Sequence, residues 1–437
     1  MKETILAIDI GSSKIATIIA NVQDKNVDIL GFSISNSFGI KKGSIVDIEE
    51  TYLSIKNSIA EAKKNSAVDI NRTIITLSSK DSLNIKSSGK INLPEKIITT
   101  REINQVLQTA HYNSTIPYEY EMIQVIPKNF IVDNVPVINP LNSHANILEV
   151  QTNIIVVKKN LIANLRNIFT RLNLNNLNFV LNSYSIIHSL TNANQRKNGV
   201  AIVNIGAETS ELIYLKDNSY LFNSFIPVGS KNITNDLSLM LNIPTEIAEG
   251  IKLKYGNLLK DYKSLDNSES VLKLEYLEEN LNLSNVQIII HARVEELLIL
   301  IKNRLKSSGC ISDLKDGIII TGGLANLTGI KELAQKVFEG IPISLPYPTN
   351  FQNRFVNLEE HTLSSIIGAL NYVINLENRF ELDSNKKLLS SVNNEFKQKE
   401  NNKSQESMNQ QEIKLSPLEK KIDLKVSNLY RRIIELF

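Results

Sequence analysis

One pattern occurs twice in this chain. Residues 4–10 alternate in polarity and are rich in β-branched side chains, so they read as a buried strand. Gly11-Ser12-Ser13 makes a tight polar turn, Lys14 to Asn21 returns as a second strand, and Val27 to Ser35 gives a third. About 195 residues later the theme recurs. Val200 to Ile205 is a buried strand, Gly206 opens a turn, and Glu211–Lys216 pairs with Tyr220–Ile226 through Asp217-Asn218. A repeated strand, glycine turn and hairpin predicts a duplicated α/β domain, with the two turns facing each other across a cleft.

The rest of the chain fits around that frame. Ile48 to Lys64 has helical spacing, and Thr73 to Ser78 is a strand. From Leu83 to Val157, short strands at Gly89–Leu93, Met122–Val132 and Val150–Val157 surround a helix starting near Thr100, which predicts a small inserted α/β subdomain. Helices are expected at Lys158–Leu172, from Ser183, at Asn232–Leu241, Thr245–Tyr255, His291–Lys306, Gly329–Phe338 and His361–Ile374. Strands are expected at Leu177–Leu181 and Asp316–Thr321, and an irregular patch at 257–285. The first domain therefore takes 1–82 and 158–197 around the insertion at 83–157. The second takes 198–228 and 306–382 around a smaller part at 229–305. Residues 384–414 are dominated by Asn, Gln, Ser, Lys and Glu, which cannot bury enough apolar surface to offset ordering entropy. We read 383–415 as a disordered linker, with an interaction helix as the competing reading.

Composition excludes several functions. The net charge of +2 lacks the basic excess of a general nucleic-acid binder. Cys310 is the single cysteine, so neither an internal disulfide nor a thiolate metal site is possible. His111, His144, His188, His291 and His361 form no pair at ligand spacing. The apolar run after Met1 is short and broken by Asp9, unlike a signal peptide, and no stretch approaches the roughly 20 apolar residues of a spanning helix. Any membrane contact is expected to be peripheral.

Phosphate chemistry is written into the turns. In Asp9-Ile10-Gly11-Ser12-Ser13-Lys14 the glycine admits a close approach, and the turn N–H groups and serine hydroxyls offer donors to anionic oxygen. Lys14 supplies positive charge, and Asp9 can hold Mg²⁺ directly or through water. Alone, such a motif reads first as a polar hairpin turn. Asn204 and Gly206 form a second loop candidate. Thr321-Gly322-Gly323, after an apolar strand, allows backbone approach to a nucleoside. Glu249 and Lys252 share a helix face and can address a ribose or base edge, or simply pair at the surface. The four features in this order favour nucleotide binding.

Taken with Leu6 to Lys14, Val203 to Gly206, Ala248 to Gly256 and Ile320 to Gly323, the chain resembles the actin/Hsp70/sugar-kinase superfamily. Within it, the insertion and the tail resemble the FtsA family of bacterial cell division proteins. Ser37–Gly43, Gln124–Pro127, Asn182–Ser185 and Ile366–Leu370 are further family-like segments, and the resemblance covers about residues 4–376 plus the last helix. It implies ATP with Mg²⁺ in the cleft and actin-like filaments of the chain itself. It also implies binding of the tubulin homologue FtsZ, anchoring of the Z ring to the inner face of the cytoplasmic membrane at the division site, and recruitment of later division proteins. It places the FtsZ surface within 229–305, where Arg293, Glu295 and Glu296 are the loosest of candidates. Pilus-assembly actin homologues and small-molecule kinases share the nucleotide fold and are the alternatives.

One departure matters. The family's second loop usually reads Asp-x-Gly-Gly-Gly-Thr, and here it is Asn204-Ile205-Gly206-Ala207-Glu208-Thr209. Asn204 lacks a charge for the Mg²⁺ water shell, and Ala207 and Glu208 add bulk. If Glu208 points inward it repels phosphate; if it points to solvent, nothing changes. The expectation is weakened nucleotide binding and, at most, slow ATP hydrolysis.

The C-terminal segment 416–437 starts as a helix should. Ser416 can cap, Pro417 suits the first turn, and Glu419 completes a capping box. Val426, Leu429, Tyr430, Ile433 and Phe437 then share one face with Ile434 at its margin. Lys425, Asn428, Arg431, Arg432 and Glu435 lie opposite. After a disordered linker, insertion of this face into an anionic phospholipid surface fits best; docking on the core or a coiled-coil partner are the alternatives.

Overall fold

The computed structural model describes residues 2–23, 26–64, 68–259, 271–272, 281–348, 351, 358–374 and 380–389. The expected linker beyond 389 and the C-terminal helix, with Val426, Leu429, Tyr430, Arg431, Arg432, Ile433, Ile434 and Phe437, lie outside the described residues.

Two five-stranded sheets share one plan. In the first, strands Lys2–Ile10, Lys14–Gln23 and Asn26–Asn36 run as an antiparallel meander, and Arg72–Leu77 then Leu177–Leu181 add in parallel on the other side of the opening strand. In the second, Val200–Ile205, Ser210–Lys216 and Ser219–Ile226 form the meander, and Ile318–Thr321 then Ile343–Ser344 add in parallel. The correspondence reaches single residues. Asp9 lies opposite Thr76, as Asn204 lies opposite Thr321. Gly11 N–H donates to the Lys14 carbonyl at 3.0 Å, as Gly206 N–H donates to that of Thr209 at 2.9 Å.

Alternation along Val200–Ile205 explains how the halves join. Val200 and Ile202 pack into the core shared with the first sheet, while Ala201, Val203 and Ile205 pack among the second half's own helices. Between the sheets lie two helices, Asn182–Leu190 and Ser364–Ile374. Every residue of the second up to Val373 is buried, as an almost wholly apolar helix requires. They meet closely at Gly368, where a Cβ would lie 2.0 Å from the Ser185 carbonyl oxygen.

The insertion is one antiparallel sheet of Ser82–Ile97, Tyr120–Val132, Val135–Val137 and His144–Lys158, covered by helix Thr100–Tyr112 with its own core. Thr99 and Glu102 make the capping box that starts this helix. The outer strand spans 16 residues rather than the five expected, because exposed Lys86, Ser88, Lys90, Asn92 and Lys96 interleave with its buried positions and mask the strand pattern.

Three expectations need correction. The long helix begins at Leu283, eight residues before His291, capped by Asn282, whose side chain accepts from Ser284 N–H at 2.8 Å. The expected helix from His361 opens as a 3-10 turn over His361–Leu363 and becomes α-helical at Ser364. The linker does not begin at 383. Glu381–Leu382 and Leu388–Leu389 pair with each other, and Leu382 pairs with Val125 of the inserted sheet. Asp383 is buried and accepts from Asn178 Nδ2 at 2.8 Å and from the backbone of Asn385 and Lys387, each at 2.9 Å. Phe179 N–H donates to Ser384 Oγ at 3.0 Å, so this short polar stretch is stitched to both sheets.

Candidate functional site

The two glycine turns open onto one cavity of about 380 Å³. Asp9, Gly11, Ser12, Ser13 and Lys14 line it from the first loop, and Asn204 and Gly206 from the second. Glu249 and Lys252 come from helix Thr245–Tyr255, and Gly322 and Gly323 from the turn after Ile318–Thr321. All the residues singled out for cofactor binding therefore converge. Gly322 has φ of +88°, and a Cβ there would lie 2.4 Å from the Ile205 carbonyl oxygen, so only glycine fits this turn against the second loop.

The acidic groups are buried. Asp9 accepts from Thr76 Oγ1 at 2.5 Å, and burial pushes its carboxyl above the ordinary range despite Thr76 and Lys14. Burial lowers Lys14, against the opposing pull of Asp9 and Glu360. Glu211, not singled out from sequence, also lines the cavity. Its Oε1 accepts from Ser79 N–H at 2.8 Å and Ser78 Oγ at 3.1 Å, both on the first half. Burial pushes its pKa up, and its Oε2 has no hydrogen-bond partner among the described residues. The available signal was an acid at the second position of the apolar strand Ser210–Lys216, directly opposite Asn204. Two buried carboxylates, one with an orphaned oxygen, beside Lys14 form a donor set suited to a hydrated Mg²⁺.

Lys252 is the buried cation of the opposite wall. Its Nζ donates to Glu249 Oε2 at 2.7 Å and Thr234 Oγ1 at 3.0 Å, and Thr234 also bonds Glu249. The pair is thus a buried amine leaning on a half-exposed carboxylate rather than a surface ion pair. At the floor, Asn182 and Ser365 bond each other and both face the cavity.

Glu208 settles neither of its two expected ways. It faces neither phosphate alone nor solvent: Oε2 accepts from Lys42 N–H at 2.6 Å, and Oε1 pairs with Lys231 Nζ at 3.1 Å. Lys42 belongs to the first half, on the hairpin Ile40–Lys41 and Ser44–Ile45. Outside the cleft, Arg293 is committed to Asp236 and Glu296, which ties helix Leu283–Ser307 to helix Lys231–Met240.

Two matching sheets, a helix pair between them and a cavity at their paired turns define an actin-like protein. The fold is also that of the PilM–PilN type IV pilus biogenesis complex (TM-score 0.59, 15% identity, 84% of this chain and 97% of that one). MreB5 of Spiroplasma citri bound to ADP matches as well (TM-score 0.52, 11% identity, 85% and 96%). Residues 201–368 match the family model of the cell division protein FtsA, and residues 83–156 that of the SHS2 domain inserted in FtsA. The cell division protein FtsA of Helicobacter pylori strain J99 is 30% identical over 88% of this chain and 84% of its own. That of Borreliella burgdorferi is 28% identical over 90% and 95%. The chain belongs to the FtsA family of cell division proteins. No helix among the described residues is long and apolar enough to cross a membrane.

Proposed function

We propose that this chain binds ATP with Mg²⁺ in the cleft, assembles with copies of itself, and anchors FtsZ filaments to the inner face of the cytoplasmic membrane at the division site. The observation that carries the nucleotide reading is the convergence of two glycine loops, Lys14, Lys252 and two buried carboxylates on one cavity. Main-chain N–H groups and lysines suit a polyphosphate, and the Gly322-Gly323 turn leaves room for a nucleoside. Asp9 and Glu211 would hold Mg²⁺ through its water shell, and the ion would offset the phosphate charge. Asn204 and the committed carboxylate of Glu208 leave little to activate a water, which supports slow hydrolysis and a role in assembly rather than turnover. Family membership supports FtsZ and later division proteins as partners.

Segment 416–437 would carry the membrane contact. Each large side chain entering the interface contributes about 1–2 kcal/mol, and each basic residue near anionic lipid roughly 1 kcal/mol, so attachment is reversible and led by the apolar face. Co-sedimentation of the full chain with FtsZ and anionic liposomes tests the whole reading. The expected result is FtsZ in the liposome pellet only when this chain is present. FtsZ left in the supernatant with the chain on the liposomes would refute the anchoring role.

A further inference from the structure

The hairpin tip Lys42-Gly43 stands at the phosphate end of the cleft, touching both loops. Lys42 and Gly43 both have positive φ, +46° and +73°, the two-residue turn that directs successive N–H groups outward. Here Gly43 N–H donates to Ser12 Oγ of the first loop at 3.2 Å, and Lys42 N–H donates to Glu208 Oε2 of the second at 2.6 Å. Lys231 Nζ holds the carboxylate's other oxygen at 3.1 Å. Lys231 is itself fixed, because its N–H donates to the Ala207 carbonyl at 2.7 Å. Glu208 is mostly buried, with 11% of its side chain exposed, and it lines the cavity with Gly43 and Ser12.

We propose that Glu208 is an internal anion that ties the two halves shut, taking for closure the role that a nucleotide's terminal phosphate would take. The inference rests on the cavity accepting a polyphosphate. A ligand shifts a cleft toward closure only through contacts it makes in the closed state. The contact that would bridge the halves at this end, an anion between the hairpin tip and the second loop, is already supplied by the chain. Closure at the hairpin is therefore independent of nucleotide.

Hydrogen exchange of the full chain, stripped of nucleotide, tests this at peptides covering 40–45. Without ligand these amides should be protected in the wild type, and Mg·ATP should change their exchange less than twofold. Glu208→Ala should speed ligand-free exchange there about tenfold, the loss of a charge-assisted hydrogen bond, and Mg·ATP should slow it again. Lys231→Met should act in the same direction and less strongly. Ligand-free exchange unchanged by Glu208→Ala, or wild-type protection that appears only with Mg·ATP, would overturn the proposal. If Glu208→Ala loses protection in the core strand 5–8 as well, Lys231→Met decides, and no change at 40–45 in that variant overturns it. Absence of Mg·ATP binding in every variant would overturn the nucleotide reading and the phosphate-like role, while the ligand-free comparison still decides whether Glu208 makes the tie.

Discussion

Gly368→Ala should loosen the helix pair on which the cleft is built. A Cβ at Gly368 would lie 2.0 Å from the Ser185 carbonyl oxygen, 2.5 Å from its carbon and 3.0 Å from Ile186 N. All three are backbone atoms, so no side chain can rotate away, and ordinary contact requires the helices to part by more than an ångström. Overpacking of this kind costs about 1–3 kcal/mol, and the rigid neighbours put this case near 3. Alanine regains about 0.5–1 kcal/mol of helix preference, leaving a net loss of roughly 2 kcal/mol. With a urea slope near 3 kcal/mol/M, the midpoint should fall by about 0.7 M. Gly250→Ala is the control: it lies in helix Thr245–Tyr255 with nothing within 4 Å of its would-be Cβ, and should be neutral or slightly stabilising. Because Asn182, Ser364 and Ser365 line the cavity from the parted helices, Gly368→Ala should also weaken Mg·ATP binding several-fold. Equal stability of the two variants would refute the packing argument.

Other consequences can be measured in the same preparations. Lys252→Met should cost about 1–2 kcal/mol in urea unfolding, since Glu249 is half-exposed and can recover solvent, and should weaken Mg·ATP binding about tenfold. Glu211→Gln keeps an acceptor for Ser79 N–H and removes a buried charge. Its folded pKa is raised, so its contribution favours the native state below the unfolded value near 4.5 and is lost as pH rises through the folded one. The stability gained by Glu211→Gln should therefore grow from pH 4.5 to pH 7.5; a pH-independent difference would contradict the assigned burial. Ile433→Glu should release the full chain from anionic liposomes in co-sedimentation, and unchanged pelleting would argue for another membrane contact.

Much of the scaffold was legible because duplication writes it twice. A strand ending in Asp9 and one ending near Asn204, each followed by a glycine turn, located both halves of the cleft, and the structure pairs them with Thr76 and Thr321 in matching positions. Glu249 and Lys252 were visible through helical spacing, although the burial of Lys252 was not, because periodicity does not report what lies across a helix. Glu211 was hidden for the same reason: its importance comes from Ser78 and Ser79, over 130 residues away in the chain. The hairpin tip at Lys42 and the strands at 381–389 are short, so their order comes from tertiary hydrogen bonds and, in the strands, from burial of Leu382 and Leu389, which no local pattern announces. The C-terminal helix remains a reading of sequence alone.

The central claim is that paired glycine turns hold a nucleoside triphosphate with its metal. Titration of the full chain with ATP, with and without Mg²⁺, followed by calorimetry, measures this directly. One saturable site that strengthens with Mg²⁺ and weakens at least tenfold in Lys252→Met is the predicted result. Heats that never saturate, or an affinity indifferent to both the metal and Lys252, would contradict it.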